Sequence, residues 1–91
     1  MEKNILIIDD DFSLRRVIER ALSNSKTHIS SVSSVSEAWV NIEKNRYDLI
    51  ICDVVLPDGD GLELVKKVKQ KNINQLFIVI SANINLLTAI K

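Results

Sequence analysis

Three short aliphatic runs, at residues 5–8 (Ile-Leu-Ile-Ile), 49–52 (Leu-Ile-Ile-Cys) and 76–80 (Leu-Phe-Ile-Val-Ile), carry no polar alternation, and each is followed at once by a polar side chain. Those side chains are Asp9, Asp53 and Ser81. A strand that is apolar on both sides belongs inside a sheet covered on both faces, which in practice means a parallel sheet with helical crossovers. The segments between the runs supply the helices. Leu14, Val17, Ile18, Ala21 and Leu22 recur at the spacing of one apolar helical stripe, with Asn24 as a plausible stop. Ser34 and Glu37 have the spacing of a capping box ahead of Ala38, Trp39 and Ile42, so a second helix runs to about Asn45. Asp60 can cap a third helix carrying Leu62, Val65 and Val68, and a fourth is expected to begin near Asn85 with Leu86, Leu87 and Ile90 facing the core. Residues 28–32 alternate weakly and are rich in serine, which suits a strand at the outer edge of the sheet. The alternation of strand and helix predicts one α/β domain built on a doubly wound parallel sheet.

Composition narrows the function classes. With 91 residues, 46% of them hydrophobic and 26% charged, the chain suits a single globular domain. Twelve basic residues balance twelve acidic ones, so no net field draws it to nucleic acid or to an anionic membrane. The lysines at 66, 67, 69 and 71 lie on a helix whose other face is apolar and read as a solvated face. One cysteine, Cys52, permits no internal disulfide and fits a reducing cytoplasm, while the apolar run at 5–8 is too short for a signal peptide or a membrane span. Cys52 and Trp39 are expected to be packing residues, and His28 a surface strand residue. Two glycines cannot furnish a phosphate-binding loop or a dinucleotide fingerprint.

Ligands of an open parallel sheet bind beyond the carboxyl ends of its strands, where the winding direction switches. Asp9, Asp10 and Asp11 follow the first strand, Asp53 the third and Ser81 the fourth, so acids distant in sequence converge if these strands are neighbours. Carboxylates ~4 Å apart repel by roughly 4 kcal/mol per pair at an effective dielectric near 20, so such a cluster needs a proton or a cation. All the available ligands are hard oxygens, and a few carboxylates completed by water and phosphate is the usual setting of Mg²⁺, with Mn²⁺ as a substitute. The plainer alternative is that an aspartate after a strand caps the next helix. Asp9, Asp10 and Asp11 alone are open to either reading. Asp53, abutting Ile50, Ile51 and Cys52, favours a functional one.

In this order the residues resemble the receiver domains of two-component response regulators, across essentially the whole chain. Ile5-Leu6-Ile7-Ile8-Asp9-Asp10-Asp11 is similar to that family's first strand and acid pair, and Tyr47-Asp48-Leu49-Ile50-Ile51-Cys52-Asp53 to the third strand with its phosphoacceptor. Leu56-Pro57-Asp58-Gly59-Asp60-Gly61-Leu62 resembles the proline and Asp-Gly loop, and Ile78-Val79-Ile80-Ser81-Ala82 the strand ending in a hydroxyl and alanine. The resemblance implies a flavodoxin-like sheet of strand order 2-1-3-4 across these four strands. It implies that Asp53 accepts a phosphoryl group, as a signalling domain that catalyses only its own phosphorylation and dephosphorylation. Mg²⁺ would be held by Asp10 directly, Asp9 largely through water, Asp53 and the Val55 backbone carbonyl. Ser81 would hydrogen-bond a phosphoryl oxygen, helped by the backbone amides of Val54 and Ala82. The donor would be the phosphohistidine of a sensor histidine kinase or histidine phosphotransfer protein, docked near Phe12, Arg15 and Arg16. Phosphorylation would then switch an output domain or effector protein, transcription being one process so controlled, with no nucleic acid or membrane touched by this domain.

The family's fifth strand, with its aromatic switch residue and the lysine after it, has no counterpart before Lys91. The fourth strand is therefore expected to keep an open edge, inviting a homodimer or exchanged oligomer, as in a fragment or truncated product. Loss of the lysine is expected to weaken phosphoryl transfer more than metal binding. Two other functions compete: a non-phosphorylated receiver-like docking or dimerisation module, and a phosphatase with an aspartyl nucleophile. The phosphatase would need a second acid two residues after the nucleophile, where this chain has Val55.

Overall fold

In the computed structural model, which describes residues 2–81 and 86–90, the run at 5–8 forms the buried end of β1 (Lys3–Ile8). Leu6, Ile7 and Ile8 have no solvent-accessible surface. Burying an aliphatic side chain of this size contributes ~1.5–3 kcal/mol, so this strand anchors the sheet. α1 (Phe12–Leu22) follows, capped by Asp11, whose side chain accepts from the Leu14 N–H. Then come β2 (Thr27–Val32), α2 (Val35–Lys44), β3 (Leu49–Asp53), a small hairpin of β4 (Val55–Leu56) and β5 (Gly59–Asp60), α3 (Gly61–Lys71), β6 (Phe77–Ser81) and β7 (Leu86–Ile90).

The main sheet has the order β2-β1-β3-β6-β7. Its first four strands are parallel and have the expected 2-1-3-4 order, with β2 at the edge. Alternation along the strands divides the core. On one face Leu6, Ile8, Ile50, Cys52, Phe77 and Val79 pack against Ala38 of α2 and Leu64, Val65 and Val68 of α3. On the other, Ile5, Ile7 and Ile51 meet Ile18 and Leu22 of α1 in a smaller cluster.

The helix starts follow their capping signals. Ser34 accepts from the Glu37 N–H at the head of α2, and Asp60 from the Leu62 N–H at the head of α3. The buried stripe of α3 is Gly61, Leu64, Val65 and Val68, whereas Leu62, expected in the core, is exposed. Its position in the first turn sets it one step off the 61, 64, 65, 68 stripe.

The end of the chain departs from expectation. Leu86–Ile90 is a strand antiparallel to β6, with Ile80 opposite Leu87 and Phe77 opposite Ile90, and not part of a fourth helix. Asn85 itself lies outside the described residues. A strand whose outer N–H and C=O groups are unpaired is a strong template, and a single helical turn is costly to nucleate, so a short run rich in apolar and β-branched residues pairs instead. The β6 edge expected to be open is therefore filled from within the chain. Among the described residues no helix is long and apolar enough to cross a membrane.

Candidate metal and phosphoacceptor site

The strand register builds the site. Ile8 pairs with Cys52 across β1 and β3, so one residue further on Asp9 comes level with Asp53. Asp53 pairs with Ile80 across β3 and β6, which puts Ser81 one step beyond it. The winding switches between β1 and β3, where ligands of such sheets bind. Here carboxylate oxygens of Asp9, Asp10 and Asp53 lie within 4.8 Å of one another. Asp10 is exposed and Asp53 half-buried, while Asp9 is only 1% exposed.

Asp9 is the most perturbed of the three. Burial pushes its carboxyl up to about 6, and the charges of Asp53, Asp10 and Asp11 add to the rise, against the Asp11 N–H, which donates to Oδ1 at 2.9 Å and lowers it. Its Oδ2 is buried without a hydrogen-bond partner among the described residues. A buried carboxylate oxygen in that condition is costly, and a proton, or a cation among the three carboxylates, would relieve it. The donor set of hard oxygens fits Mg²⁺.

Asp53 is held by its own loop. The Val55 N–H donates to Asp53 Oδ1 at 3.3 Å. The Val54 N–H, expected to face a phosphoryl group, instead donates to the Ile80 carbonyl at 3.0 Å, because β3 and β6 stay paired past the acid. Val55 thus supplies the amide at the site. Its side chain is exposed, and the Ala82 amide lies outside the described residues.

Behind Asp53, α3 comes in at its closest. The Gly61 N–H donates to the Val54 carbonyl at 2.7 Å, and a Cβ on Gly61 would overlap the Asp53 carbonyl. Only glycine permits that approach. Cys52 lies beneath, fully buried, its thiol donating to the Asp53 carbonyl at 3.3 Å. Burial pushes this thiol up to about 12, with further elevation from Asp53, Asp9 and Asp60, so it is an inert packing group.

At the rim, Phe12 is 63% exposed at the start of α1, with the Arg15 and Arg16 guanidinium groups 5.7 and 5.8 Å from its ring centroid. One contact that the sequence did not disclose is made by Asp58 at the tip of the β4–β5 hairpin. It accepts from the Val35 N–H at 2.7 Å and the Ser36 N–H at 3.1 Å, at the head of α2. No local pattern encodes a cap supplied from 22 residues away.

Comparison with known proteins gives a consistent answer. Residues 5–91 match the family profile described as the response regulator receiver domain. The chain is 37% identical over 87 residues to the DNA-binding transcriptional regulator NtrC of Azospirillum brasilense, an alignment covering 96% of this chain and 18% of that protein. It thus spans under a fifth of that relative. Among solved structures, the non-phosphorylated HemR receiver domain of Leptospira biflexa superposes with a TM-score of 0.81 at 28% identity, covering 89% of this chain and 65% of that one. The Thermotoga maritima response regulator TrrA, solved in complex with Mg²⁺-BeF, gives a TM-score of 0.81 at 28% identity over 88% of this chain and 70% of the other.

Proposed function

This chain belongs to the response regulator receiver domain family, and from that premise we propose that Asp53 is its phosphoacceptor, in a reaction that depends on Mg²⁺. The observation that carries the reading is the meeting of Asp9, Asp10 and Asp53 around a buried oxygen, Asp9 Oδ2, that has no partner among the described residues. Asp9, Asp10, Asp53 and the Val55 carbonyl would hold the ion. Bound there, Mg²⁺ would neutralise the crowded carboxylates and offset their repulsion of an incoming phosphoryl group.

The remaining work falls to the chain itself. Asp53 sits at the end of a strand buried on both sides, so its carboxylate is presented for in-line attack on phosphorus without a search of conformations. As the Asp53 O–P bond forms, the donor's bond to phosphorus breaks, its electron pair leaves with the donor group, and an acyl phosphate results. The Val55 N–H, which donates to Asp53 Oδ1, would donate to the modified side chain, and the hydroxyl of Ser81, at the end of the neighbouring strand, to a phosphoryl oxygen. Inert Cys52 offers no competing nucleophile.

The donor is the phosphohistidine of a sensor histidine kinase or histidine phosphotransfer protein in the cytoplasm, and the exposed Phe12 with Arg15 and Arg16 is the docking surface. A phosphorylated site biases a two-state equilibrium that an output domain or effector reads, control of transcription among the outputs.

The test is to incubate the chain with acetyl phosphate and Mg²⁺ and to weigh it intact. A gain of one phosphoryl mass that disappears in Asp53→Asn, and when Mg²⁺ is chelated, is the expected result. A gain that persists in Asp53→Asn would refute the assignment, and no gain at all would favour a receiver-like docking module.

A further inference from the structure

We infer that Asp58 is a positioning residue for the phosphoacceptor loop, tying the β4–β5 hairpin to the head of α2 and so fixing the Val55 backbone beside Asp53. The inference rests on the reading of Asp53 as the phosphoacceptor with Val55 in its metal and phosphoryl shell.

The hairpin is the segment that carries Val55, and alone it is weak. Each of its strands has two residues, with Val55 opposite Asp60 and Leu56 opposite Gly59, and an isolated two-stranded ribbon is marginal in water. Beside the buried Leu56 side chain, two hydrogen-bonded anchors hold it. At the base, the Gly61 N–H donates to the Val54 carbonyl at 2.7 Å. At the tip, both carboxylate oxygens of Asp58 accept backbone N–H groups of α2, from Val35 and Ser36. Val55 lies between these anchors, its N–H on Asp53 Oδ1, so loosening the tip would loosen its amide and carbonyl.

The α2 end of the strap is built to receive it. The first four N–H groups of a helix lack partners inside the helix. Ser34 Oγ serves the Glu37 N–H and Asp58 serves those of Val35 and Ser36, while the Ala38 N–H begins the regular helical series on the Ser34 carbonyl. These donors hold the Asp58 carboxyl below the usual carboxylate range, as expected of an anion on a helix N-terminus. Beside it, a Cβ on Gly59 would lie 3.1 Å from Val35 Cγ2, so hairpin and helix are already in close contact.

A cap that served only α2 would act like Ser34, and that gives the control. Asp58→Ala, Asp58→Asn and Ser34→Ala are compared in the whole chain, first without metal by amide hydrogen exchange and then by titrating Mg²⁺ while following the Val55 and Asp53 amide resonances. Asp58→Ala is expected to speed exchange at Gly61 and Val55 and to weaken Mg²⁺ binding by roughly tenfold, the lower end of what loss of an outer-shell partner costs a metal site. Asp58→Asn, which keeps one acceptor oxygen, should fall between Asp58→Ala and wild type. Ser34→Ala should lower the melting temperature and leave Mg²⁺ affinity and the hairpin amides unchanged. If Asp58→Ala does not fold, Asp58→Asn against Ser34→Ala decides the matter. Wild-type Mg²⁺ affinity in the Asp58 variants, or an equal loss in Ser34→Ala, would overturn the positioning role. A wild-type chain that gives no response to Mg²⁺ would overturn the phosphoacceptor reading itself, and this inference with it.

Discussion

Neutralising Asp9 should stabilise the metal-free protein at neutral pH, although the residue is among the most buried in the chain. Its carboxyl is raised from 3.8 to about 6 in the folded state, chiefly by burial. A raised acid binds its proton more tightly folded than unfolded, so ionisation costs stability. The cost is absent below the unfolded value, accumulates as pH rises from about 4 to 6, and is fully present above that. A rise of about two units corresponds to ~3 kcal/mol at pH 7.5, about 2 kcal/mol more than at pH 4.5. Asp9→Asn removes the charge and keeps an oxygen for the Asp11 N–H, while its new amide faces carboxylates that can accept from it. Denaturant unfolding with chelator present, at both pH values, should therefore show the variant gaining on wild type by ~2 kcal/mol between pH 4.5 and 7.5. Mg²⁺ should raise wild-type stability at pH 7.5 and do much less for the variant. A variant destabilised equally at both pH values would show that Asp9 is not strained by its own ionisation, and the case for a cation at Oδ2 would lose its energetic basis.

Two further outcomes follow from the packing behind Asp53. Gly61→Ala would press a methyl into the Asp53 carbonyl, so the loop or α3 must shift; a loss of ~3 kcal/mol or more by denaturant unfolding is expected, and a change below ~1 kcal/mol would mean that α3 is not held so close. Cys52, fully buried with its thiol pushed up to about 12, should react with a thiol reagent at pH 8 only as fast as the protein unfolds, so labelling should quicken with denaturant; rapid labelling of native protein would contradict the packing.

What could be read from the sequence was whatever depends on neighbours along the chain. The three aliphatic runs became β1, β3 and β6 because a segment that is apolar on both sides has nowhere to go but a sheet interior. The caps at Ser34 and Asp60 were visible, and Asp11 was one of three aspartates open to that reading, because a cap and its N–H lie two or three residues apart. What escaped depends on partners far away. Leu86–Ile90 has no marker that separates helix from strand, and the free edge of β6 decides it. Which amide faces the site, Val54 or Val55, is set by the Ile80 carbonyl on another strand, and Asp58 looks like any turn aspartate until α2 arrives beside it.

The same geometry explains why the acids cluster despite their repulsion. β1 and β3 are fixed in register by the burial of Ile8 and Cys52, so Asp9 cannot withdraw from Asp53 without pulling apolar side chains into water. One methylene-sized slip of that core costs ~1 kcal/mol, and exposing a whole aliphatic side chain ~1.5–3 kcal/mol, comparable to the cost of ionising Asp9. The sheet therefore tolerates the strain and does not relax it. A site held in this way responds to charge rather than to shape: whatever neutralises the cluster releases energy that was stored in the metal-free fold. On the proposed reading, cation binding releases that reserve, and phosphorylation of Asp53 then adds negative charge beside the bound cation. The hairpin that follows Asp53, tied to α2 through Asp58, is one element on which the change can be felt.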